Sequence, residues 1–449
     1  MIAITNNGQS TQGVHLVDVA TETIVDYITT PKSWYGLGFS ADNKFLYASG
    51  GNDNWILKYQ IDNKKLKLVD SIILGKKWPV KISPTGLCID DAKHTMYVVT
   101  KENNALYEIN LKTKESKIYS LESEAYTCTL SPDKKTLYIS LWGSDRLLIW
   151  DTEKKMAIKK LAIGDNPNEL LLTKNGNYLY VANANDNSVA VVNTKNLTIV
   201  EVLNSALYPN APNGSTTNGL ALNEKESKLY VANADNNNLA VFDVTNKGFS
   251  KSLGFIPTGW YPTNLKVVNG KLFVVNGKGL GSKANPNGPN PIKKKQTVTY
   301  QAGDLKAKPK EVEYIGGLFK GSLSIFKEPT IQELGSLTNQ VYKNTPYNKN
   351  KELSTSGESG NPIPKNIGDS SPIKHVFYII KENRTYDQVL SDLPQGNGDS
   401  SLLLFGRNIT PNQHALAEQF VLLDNFYVDA EVSADGHSWS MAAYANDYN

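Results

Sequence analysis

Cysteine is scarce in this chain of 449 residues, with only Cys88 and Cys128 present. Two cysteines are too few for a disulfide framework, and their spacing does not suit a zinc knuckle. Long apolar runs are absent too, since no stretch approaches the ~20 apolar residues of a membrane span. The first residues lack a basic segment followed by an apolar one, so we expect no transmembrane segment and see no signal peptide.

Charge of one sign is also lacking. The formal net charge is +3, from 47 basic and 44 acidic residues. The most basic stretch is the short run PIKKKQ at 291–296. Because nucleic-acid binding depends on a basic surface that neutralises phosphates, we expect no nucleic-acid partner.

A short pattern around an aromatic residue repeats along most of the chain. Its clearest copies are YLYVANANDNSVAVVNT and KLYVANADNNNLAVFDV, around Tyr180 and Tyr230. Weaker copies are centred on Ala3, Tyr47, Tyr97, Tyr138 and Phe273. Seven copies at intervals of roughly 41 to 50 residues suit blades of about four short strands. The sequence is therefore mainly β and predicts a seven-bladed β-propeller.

These copies resemble the YVTN-repeat propellers, which are similar to the lactonase-like propellers. The resemblance covers about residues 1–328, including IPTGWYPT at Ile256–Thr263. The first copy lacks its leading strand, so we expect the sequence to begin inside a blade. A Pro-, Gly- and Lys-rich insertion at about 282–313 interrupts the last copy and must leave and re-enter one blade.

Individual polar and aromatic residues of the repeat favour structural roles. Asn183 and Asn233 fit turn positions that every blade needs. Trp260 and Tyr261 are expected to fill the wedge between blades rather than to line the channel.

Residues 329–372 form a helix and linker in our interpretation. Ile331, Leu334, Leu337 and Val341 share one face of a helix over Thr330–Asn344. The polar run at 347–374 lacks apolar periodicity, which is typical of an inter-domain linker.

From residue 373 the pattern changes class. The continuous apolar runs HVFYII at 375–380 and FVLLDNFYV at 420–428 predict strands covered on both faces, and a helix-compatible segment lies at 412–423. Such alternation indicates an α/β domain over 373–449.

Two groups of polar residues in this domain could carry chemistry. Glu382 and Asn383 follow the first predicted strand, where ligands gather in open α/β sheets, and offer oxygen donors to a divalent metal. Arg384 offers a fork suited to phosphate, although a surface ion pair with Glu382 would explain both residues. Ser433 would begin a helix that continues through His437, either as a nucleophile near the positive end of the dipole or as an ordinary N-cap.

The combination of KENRTYDQVLSDL and EVSADGHSWS looks like the phosphoesterase family that includes bacterial non-specific phospholipases C and acid phosphatases, within the alkaline phosphatase superfamily. The resemblance implies a truncated alkaline phosphatase-like domain, with Glu382 and Asn383 binding divalent metal ions of unknown identity. It also implies Ser433 as the nucleophile, with His437 four residues later. Asp435 and Gly436 replace the family's Pro-Asn, so Ser438 competes for the nucleophile's role.

The implied function is metal-assisted hydrolysis of a phosphate-ester small molecule or a phospholipid head group. The propeller would dock or present the substrate, and the family suggests a periplasmic or extracellular location. The remaining metal ligands would lie beyond Asn449, so this fragment alone is expected to be inactive.

Two alternatives stay open. The chain could be an extracytoplasmic propeller that binds a protein or envelope partner without catalysis. It could also be a propeller oxidoreductase or lactonase, which would need metal ligands converging on the channel, and His15 and His94 are a poor basis for a histidine site there.

Overall fold

The computed structural model describes residues 1–8, 11–281, 288, 315–345, 359–366, 368–426, 428 and 433–442. These residues divide into two compact units. Residues 1–281 and 315–345 belong to the first unit, and the described residues from 359 onward belong to the second.

The described part of the first unit folds into seven antiparallel sheets. The first sheet contains β1 (Ile2–Asn6), β2 (Gly13–Asp18) and β3 (Thr23–Thr29). The second contains β4 (Leu37–Phe39), β5 (Phe45–Ser49), β6 (Trp55–Asp62) and β7 (Lys65–Ile73). The third contains β8 (Pro84–Asp90), β9 (Thr95–Thr100), β10 (Ala105–Asn110) and β11 (Ser116–Ser120). The fourth contains β12 (Thr127–Leu130), β13 (Thr136–Leu141), β14 (Arg146–Asp151) and β15 (Met156–Ala162).

The remaining sheets continue the series. The fifth contains β16 (Pro167–Leu172), β17 (Tyr178–Asn183), β18 (Ser188–Asn193) and β19 (Thr198–Asn204). The sixth contains β20 (Thr217–Leu222), β21 (Lys228–Asn233), β22 (Asn238–Asp243) and β23 (Lys251–Pro257). The seventh contains β24 (Trp260–Val268), β25 (Lys271–Gly279) and β26 (Ser322–Lys327). The predicted seven-bladed propeller is confirmed, each sheet being one blade.

The turns between strands use residues that tolerate left-handed backbone. After the second strand of three blades, a short 3₁₀ turn ends at Asn54, Asp145 or Asn187, with φ of 56°, 57° and 49°. Asn and Asp visit this region because their short polar side chains bond locally. The Asn- and Asp-rich turns of the repeat thus reverse the chain between the second and third strands.

The core lies between consecutive blades. One cluster joins Tyr47 and Ile56 of the second sheet to Val98 and Tyr107 of the third, and similar clusters lie at the later boundaries. The repeated aromatic residues are almost fully buried, at 0–4% exposure. They are Tyr47, Tyr97, Tyr138, Tyr180, Tyr230 and Phe273. The repeat therefore exists to stack blades, because each blade buries its apolar faces only against its neighbours.

The innermost strands contact one another in chain order from β4 through β8, β12, β16 and β20 to β24. Lys271 of the seventh blade forms an ion pair with Glu22 of the first blade. The last and first blades are therefore neighbours, and the ring of blades is closed. β26 pairs with β25, so the chain re-enters the seventh blade at Ser322. Apart from Gly288, the insertion at 282–313 lies outside the described residues.

Helix α1 (Ile331–Asn344) also belongs to the first unit and packs on β23. Thr330 and Glu333 form a reciprocal capping box that satisfies backbone donors at the helix start. Of the apolar residues predicted to share one face, Leu334 and Val341 are buried, whereas Ile331 is 63% exposed. The described part of the 347–374 linker contains no helix or strand element.

The described part of the second unit contains α2 (Tyr386–Leu390), α3 (Pro411–Gln419) and α4 (Ser433–Ala442). Helices were expected at 412–423 and from Ser433 onward, and both are present. The two predicted strands are wrong for the residues described. None of the sheets includes residues 375–380 or 420–426, and the alkaline phosphatase-like sheet is not shown.

Exposure explains why these runs do not form strands here. Phe377 and Ile379 are 89% and 84% exposed, and Val421 is 75% exposed. A strand covered on both faces requires hydrogen-bonded neighbours and packed layers above and below it. The described residues provide these runs with no neighbouring strand and no packed layer. Their β propensity alone is therefore not enough to form a strand. Among the helices that the structure describes, none combines the length and the hydrophobicity of a membrane-spanning segment.

Candidate functional site

The second unit brings Ser433, Glu382 and His437 together. The Ser433 hydroxyl donates a hydrogen bond of 2.8 Å to Glu382 Oε1, although the two residues are 51 positions apart. His437 Nε2 lies 3.5 Å from the other carboxylate oxygen, Oε2. The carboxylate of Glu382 thus joins a hydroxyl to an imidazole.

Local structure positions the three side chains. Ser433 is the first residue of α4, and His437 lies one helical turn further on, where its Nδ1 is 2.9 Å from the Ser433 carbonyl oxygen. Glu382 lies in an irregular segment before α2. The side chains of Glu382 and His437 are 40% and 47% exposed, so a soluble substrate can reach them.

Arg384 and Asn383 have other contacts. Arg384 Nη1 donates a 2.9 Å hydrogen bond to the Asn383 carbonyl oxygen. The guanidinium carbon lies 5.4 Å from the centre of the Phe405 ring, a cation–π distance. These contacts hold the Arg384 side chain against Asn383 and Phe405. Its role towards phosphate stays a prediction.

Elsewhere in the second unit, α3 is anchored by a buried histidine. His414 is fully buried, with Nε2 2.7 Å from Asp392 Oδ1 and Nδ1 2.8 Å from the Thr410 carbonyl oxygen. The contact with His414 contributes to lowering the pKa of Asp392, against the opposing effect of desolvation. Both ring nitrogens of His414 are occupied, so this buried residue holds α3 in place.

The described residues do not form a divalent-metal site by themselves. Nowhere in the described ranges do three or more His, Cys, Asp or Glu side chains converge. At Glu382, both carboxylate oxygens already face Ser433 and His437. A zinc site takes three or four protein ligands, which is more than one carboxylate and one imidazole. Mg²⁺ needs only one or two carboxylates, with water and substrate phosphate completing its shell, so the metal-binding role of Glu382 and Asn383 stays a prediction.

The propeller holds a second polar cluster, which the sequence interpretation missed. Tyr35, just before β4, donates a hydrogen bond to Glu169 Oε2 on β16, and its ring centre lies 4.6 Å from that of Tyr126. These residues come from the second, fifth and fourth blades. Side chains from blades this far apart meet only across the central channel. The cluster Tyr35, Tyr126 and Glu169 is called the channel cluster below.

Burial controls the chemistry of the channel cluster. Desolvation raises the pKa of Glu169, and the positive charge of Lys266 opposes that shift. Burial also raises the pKa of Tyr261, on β24, to about 12. A signal for Glu169 was present in the repeat: a carboxylate stands where Gly86 and Gly219 occupy the matching positions of β8 and β20.

The other singled-out propeller residues are mostly structural. Asn183 is fully buried, and its Nδ2 donates to Ser188 Oγ at 3.0 Å and to the Ile163 carbonyl oxygen at 3.3 Å. Asn233 makes the equivalent bond to the Ser205 carbonyl oxygen at 2.7 Å. Trp260 is 49% exposed and does not fill a wedge between blades, whereas the Tyr261 ring stacks under Lys278 Nζ at 5.0 Å.

The first unit thus belongs to the class of seven-bladed β-propellers. Residues 121–279 match the family model described as lactonase, 7-bladed β-propeller, so this part of the unit is similar to lactonase-family propellers. The match covers about a third of the chain and includes Tyr126, Glu169 and Tyr261. No curated protein sequence matches the chain.

Solved structures share the fold at low sequence identity. A candidate 6-phosphogluconolactonase from Bacteroides fragilis aligns over 61% of this chain and 87% of its own, with a TM-score of 0.50 and 14% identity. A similar candidate from Bacteroides uniformis covers 61% and 89%, with a TM-score of 0.50 and 15% identity. Hydrazine synthase from Kuenenia stuttgartiensis covers 59% and 86%, with a TM-score of 0.50 and 17% identity. Relatives this distant share the fold alone.

Proposed function

We propose that the chain hydrolyses phosphate esters, with Ser433 as the nucleophile. This proposal revises the expectation that the fragment alone is inactive, because Ser433 and Glu382 are already in hydrogen-bond contact. The observation that carries the proposal is the hydrogen bond from Ser433 Oγ to Glu382. A serine hydroxyl is a weak nucleophile until a neighbouring base takes its proton. Here a carboxylate is in contact with that proton, at 2.8 Å between the heavy atoms.

The proposed reaction has two steps. Ser433 Oγ forms a bond to phosphorus while its proton moves to Glu382, and the ester's P–O bond breaks to release an alkoxide. The proton returns through Glu382 or His437 to that alkoxide, giving an alcohol and a phosphoserine. Water then attacks phosphorus and the bond to Ser433 Oγ breaks, releasing inorganic phosphate from a monoester or a phosphate monoester from a diester, as Ser433 regains its proton. General acid–base assistance of this kind contributes roughly 10²–10⁴-fold in rate.

The position of Ser433 favours a phosphate ligand over a neutral one. Ser433 opens a helix of 10 residues, whose first backbone N–H groups lack partners within the helix. These groups and the positive end of the dipole attract anions. Arg384, close in sequence to Glu382, would supply a further cation for the phosphoryl oxygens.

The substrate class and the location that we propose are those implied by the family resemblance. The substrate class is a phosphate-ester small molecule or a phospholipid head group, the propeller presents it, and hydrolysis occurs in the periplasm or outside the cell. A divalent metal would need ligands beyond Glu382 and Asn383. The two proposed reaction steps therefore involve only side chains of this chain.

The test is phosphoryl transfer by the full chain to Ser433. Incubation with p-nitrophenyl phosphate, then acid quenching and intact-mass analysis, should reveal one phosphoryl group on Ser433. Ser433→Ala should abolish both the adduct and p-nitrophenol release, while Ser438→Ala should retain them. An adduct at Ser438, or equal activity in Ser433→Ala, would show that the nucleophile is wrongly assigned. Absence of release by the unmodified chain would overturn the proposal for this chain.

A second candidate function is hydrolysis in the propeller channel. The lactonase family model covers Glu169, a buried carboxyl whose pKa is raised towards the range useful for a general base. Acid release from a panel of sugar lactones distinguishes this candidate. Lactone hydrolysis that Glu169→Gln abolishes and Ser433→Ala leaves intact would favour the channel over the Ser433 site.

A further inference from the structure

The inner strands of the third and fourth blades are hydrogen-bonded directly to each other. Gly86 N on β8 donates to the Tyr126 carbonyl oxygen at 3.0 Å, just before β12 begins. Thr85 Oγ1 donates to the Ala125 carbonyl oxygen, also at 3.0 Å. A Cβ at Gly86 would lie 2.4 Å from Thr127 Cα, so this close approach requires glycine. The two strands therefore run side by side in a fixed register.

Each inner strand faces both of its neighbouring blades. Because successive residues of a strand point to opposite faces, one residue faces the preceding blade and the next residue faces the following blade. Gly38 of β4 shows the contact that results, since a Cβ there would lie 2.6 Å from Leu87 Cδ1 of β8. The equivalent pairs at two later boundaries each share an apolar cluster: Leu171 with Leu220, and Ala221 with Leu265.

Between the third and fourth blades, this pair of positions holds the two cysteines of the chain. Cys88 occupies the position of Gly38 in the repeat, and Cys128 occupies the position of Leu87. The two Sγ atoms lie 3.5 Å apart, although the residues are 40 positions apart in sequence. That separation is close to one repeat, so the spacing of the cysteines follows from the facing positions of two consecutive blades.

The surroundings of the two sulfurs are mainly apolar. Cys128 is 5% exposed and Cys88 is partly buried, and both belong to the cluster between the third and fourth blades. Cys128 Sγ also lies 3.8 Å from the Tyr97 carbonyl oxygen. Among the residues that the structure describes, the pair is not part of a group of three or more His, Cys, Asp or Glu side chains that could hold a metal ion. The arrangement favours oxidation of the two thiols over metal binding.

We propose that Cys88 and Cys128 form a disulfide bond that ties the third blade to the fourth, with a small-molecule disulfide such as oxidised glutathione as the oxidant. The thiolate of Cys88, the more exposed of the two residues, attacks one sulfur of the small disulfide. This step gives a mixed disulfide and one small thiol. The thiolate of Cys128 then attacks the Cys88 sulfur and releases the second small thiol. The two protein thiols are oxidised, the small disulfide is reduced, and both protons end on the released thiols.

Formation of the bond needs only a small movement. A disulfide holds its sulfurs about 2.0 Å apart, and rotation about the Cα–Cβ bonds brings the Sγ atoms of Cys88 and Cys128 together while the hydrogen bonds of Gly86 and Thr85 keep the strands in register. The bond closes a loop of 40 residues, which restricts the unfolded chain and so stabilises the folded one. The proposal does not depend on the Ser433 site.

The test compares the reduced and the oxidised full chain. Purified protein is kept in a thiol-free reductant or incubated for several hours with oxidised glutathione. Remaining thiols are then blocked in urea, and tryptic peptides are analysed without reduction by mass spectrometry. In the oxidised monomer we expect two peptides joined through Cys88 and Cys128 with the loss of two hydrogens, and a thermal midpoint several degrees above that of the reduced protein. Cys128→Ser should show neither the link nor the difference in midpoint.

A shift of one residue provides the matched control. The double variant Cys128→Ser, Thr129→Cys keeps two thiols in the chain but places the second on the opposite face of β12, so it should form no link to Cys88. Leu171→Cys with Leu220→Cys, in a chain whose native cysteines are replaced by serine, should form the equivalent link between the fifth and sixth blades. Circular dichroism under reducing conditions checks that each variant is folded.

Several results would overturn the proposal. They are glutathione retained on Cys88 without a link to Cys128, links only between two chains, and an equal yield of links in the shifted variant. Absence of the link after refolding in a glutathione buffer, where the oxidant reaches both thiols, would also overturn it. A link that leaves the thermal midpoint unchanged would show that the bond does not hold the two blades together, contrary to the proposal.

Discussion

Ser433 and Glu382 are hydrogen-bonded at 2.8 Å across 51 residues of sequence. The sequence motifs named both residues but offered no distance between them, since Glu382 follows one apolar run and Ser433 begins a later helix. Their contact places a potential base directly on a potential nucleophile. His437 extends the contact to an imidazole on the opposite carboxylate oxygen.

The first prediction concerns the charge of Glu382. Glu382→Gln keeps the shape of the side chain and can still accept a hydrogen bond from Ser433, but it cannot take the serine proton. We expect the rate of p-nitrophenyl phosphate hydrolysis to fall by about 10²-fold or more, in line with the loss of a general base. Because Glu382 is 40% exposed, the thermal midpoint should not change.

The matched control for Glu382 is Glu418→Gln. Glu418 is another surface glutamate of the second unit, where it pairs with Arg407 on the surface. Exposed ion pairs contribute little to stability because water and salt screen them, so this variant should retain both activity and stability. Equal loss of activity in the two variants would point to a general charge effect rather than to a base at Glu382.

The second prediction concerns pH and Glu169. Burial raises the pKa of this carboxyl in the folded protein. The folded state then holds the proton where the unfolded chain has lost it, so the stabilisation is full below the ordinary glutamate range and disappears as pH rises through the raised pKa. Glu169→Gln should remove this contribution to the pH dependence, and above that raised pKa it should be more stable than the parent chain.

Urea unfolding from pH 4 to pH 8 measures the effect of Glu169. Tyr35→Phe is the companion variant, because it removes the hydroxyl that donates to Glu169 and leaves the carboxyl in place. Removing that partner should cost about 1–3 kcal/mol, as for other buried groups that lose a hydrogen bond. Parallel pH profiles for the parent and Glu169→Gln would contradict the assigned pKa shift.

The propeller could be predicted because its signal is repeated. Each blade contains the same pattern of aromatic residue, turn and alternating strand. A copy in which the pattern is weak can therefore be recognised from the clearer copies. Tyr180 and Tyr230 illustrate this, since both are fully buried at equivalent points of consecutive blades. The channel cluster is a different case. Tyr35 and Glu169 lie 134 residues apart, and only closure of the ring brings them together.

The second unit was harder to predict from the sequence than the propeller. Runs such as 375–380 have strong β propensity, but a strand depends on neighbours that the run itself does not encode. Helices α3 and α4 were easier to predict, because helical hydrogen bonds are local. The resemblance gave Glu382 a metal-binding role and Ser433 the nucleophile's role, and only the structure shows the hydrogen bond between them.

The third prediction concerns the two cysteines. Cys88 Sγ and Cys128 Sγ lie 3.5 Å apart between the third and fourth blades, and both are free thiols. Burial raises the pKa of Cys88 well above its usual value. Because the thiolate is the reactive form, iodoacetamide should modify Cys88 in the native protein far more slowly than in urea.

Mass spectrometry of trypsin digests checks the labelling at each cysteine. Addition of diamide, a thiol oxidant, should link Cys88 to Cys128 only after enough movement to bring the sulfurs from 3.5 Å to about 2 Å. Rapid native labelling of Cys88 would show that the blade boundary opens readily. Such opening would conflict with the buried cluster around Cys128.

The fourth prediction concerns helix α1, which covers the outer strand of the sixth blade. Leu334 is 1% exposed and lies in the cluster between the sixth and seventh blades, so Leu334→Ala leaves a cavity. We expect a loss of about 2–5 kcal/mol in the free energy of unfolding. Thr330→Ala should cost about 1 kcal/mol, because it removes the hydroxyl of the capping box.

Ile331→Ala is the matched control for α1, since this residue lies on the same helix and is 63% exposed. Chemical denaturation followed by tryptophan fluorescence should give a change within about 0.5 kcal/mol for this variant. The difference between Leu334→Ala and Ile331→Ala then measures how strongly α1 is anchored to the propeller. Similar small effects for both would mean that α1 detaches before the blades unfold, and that the helix is an accessory to the propeller rather than part of its core.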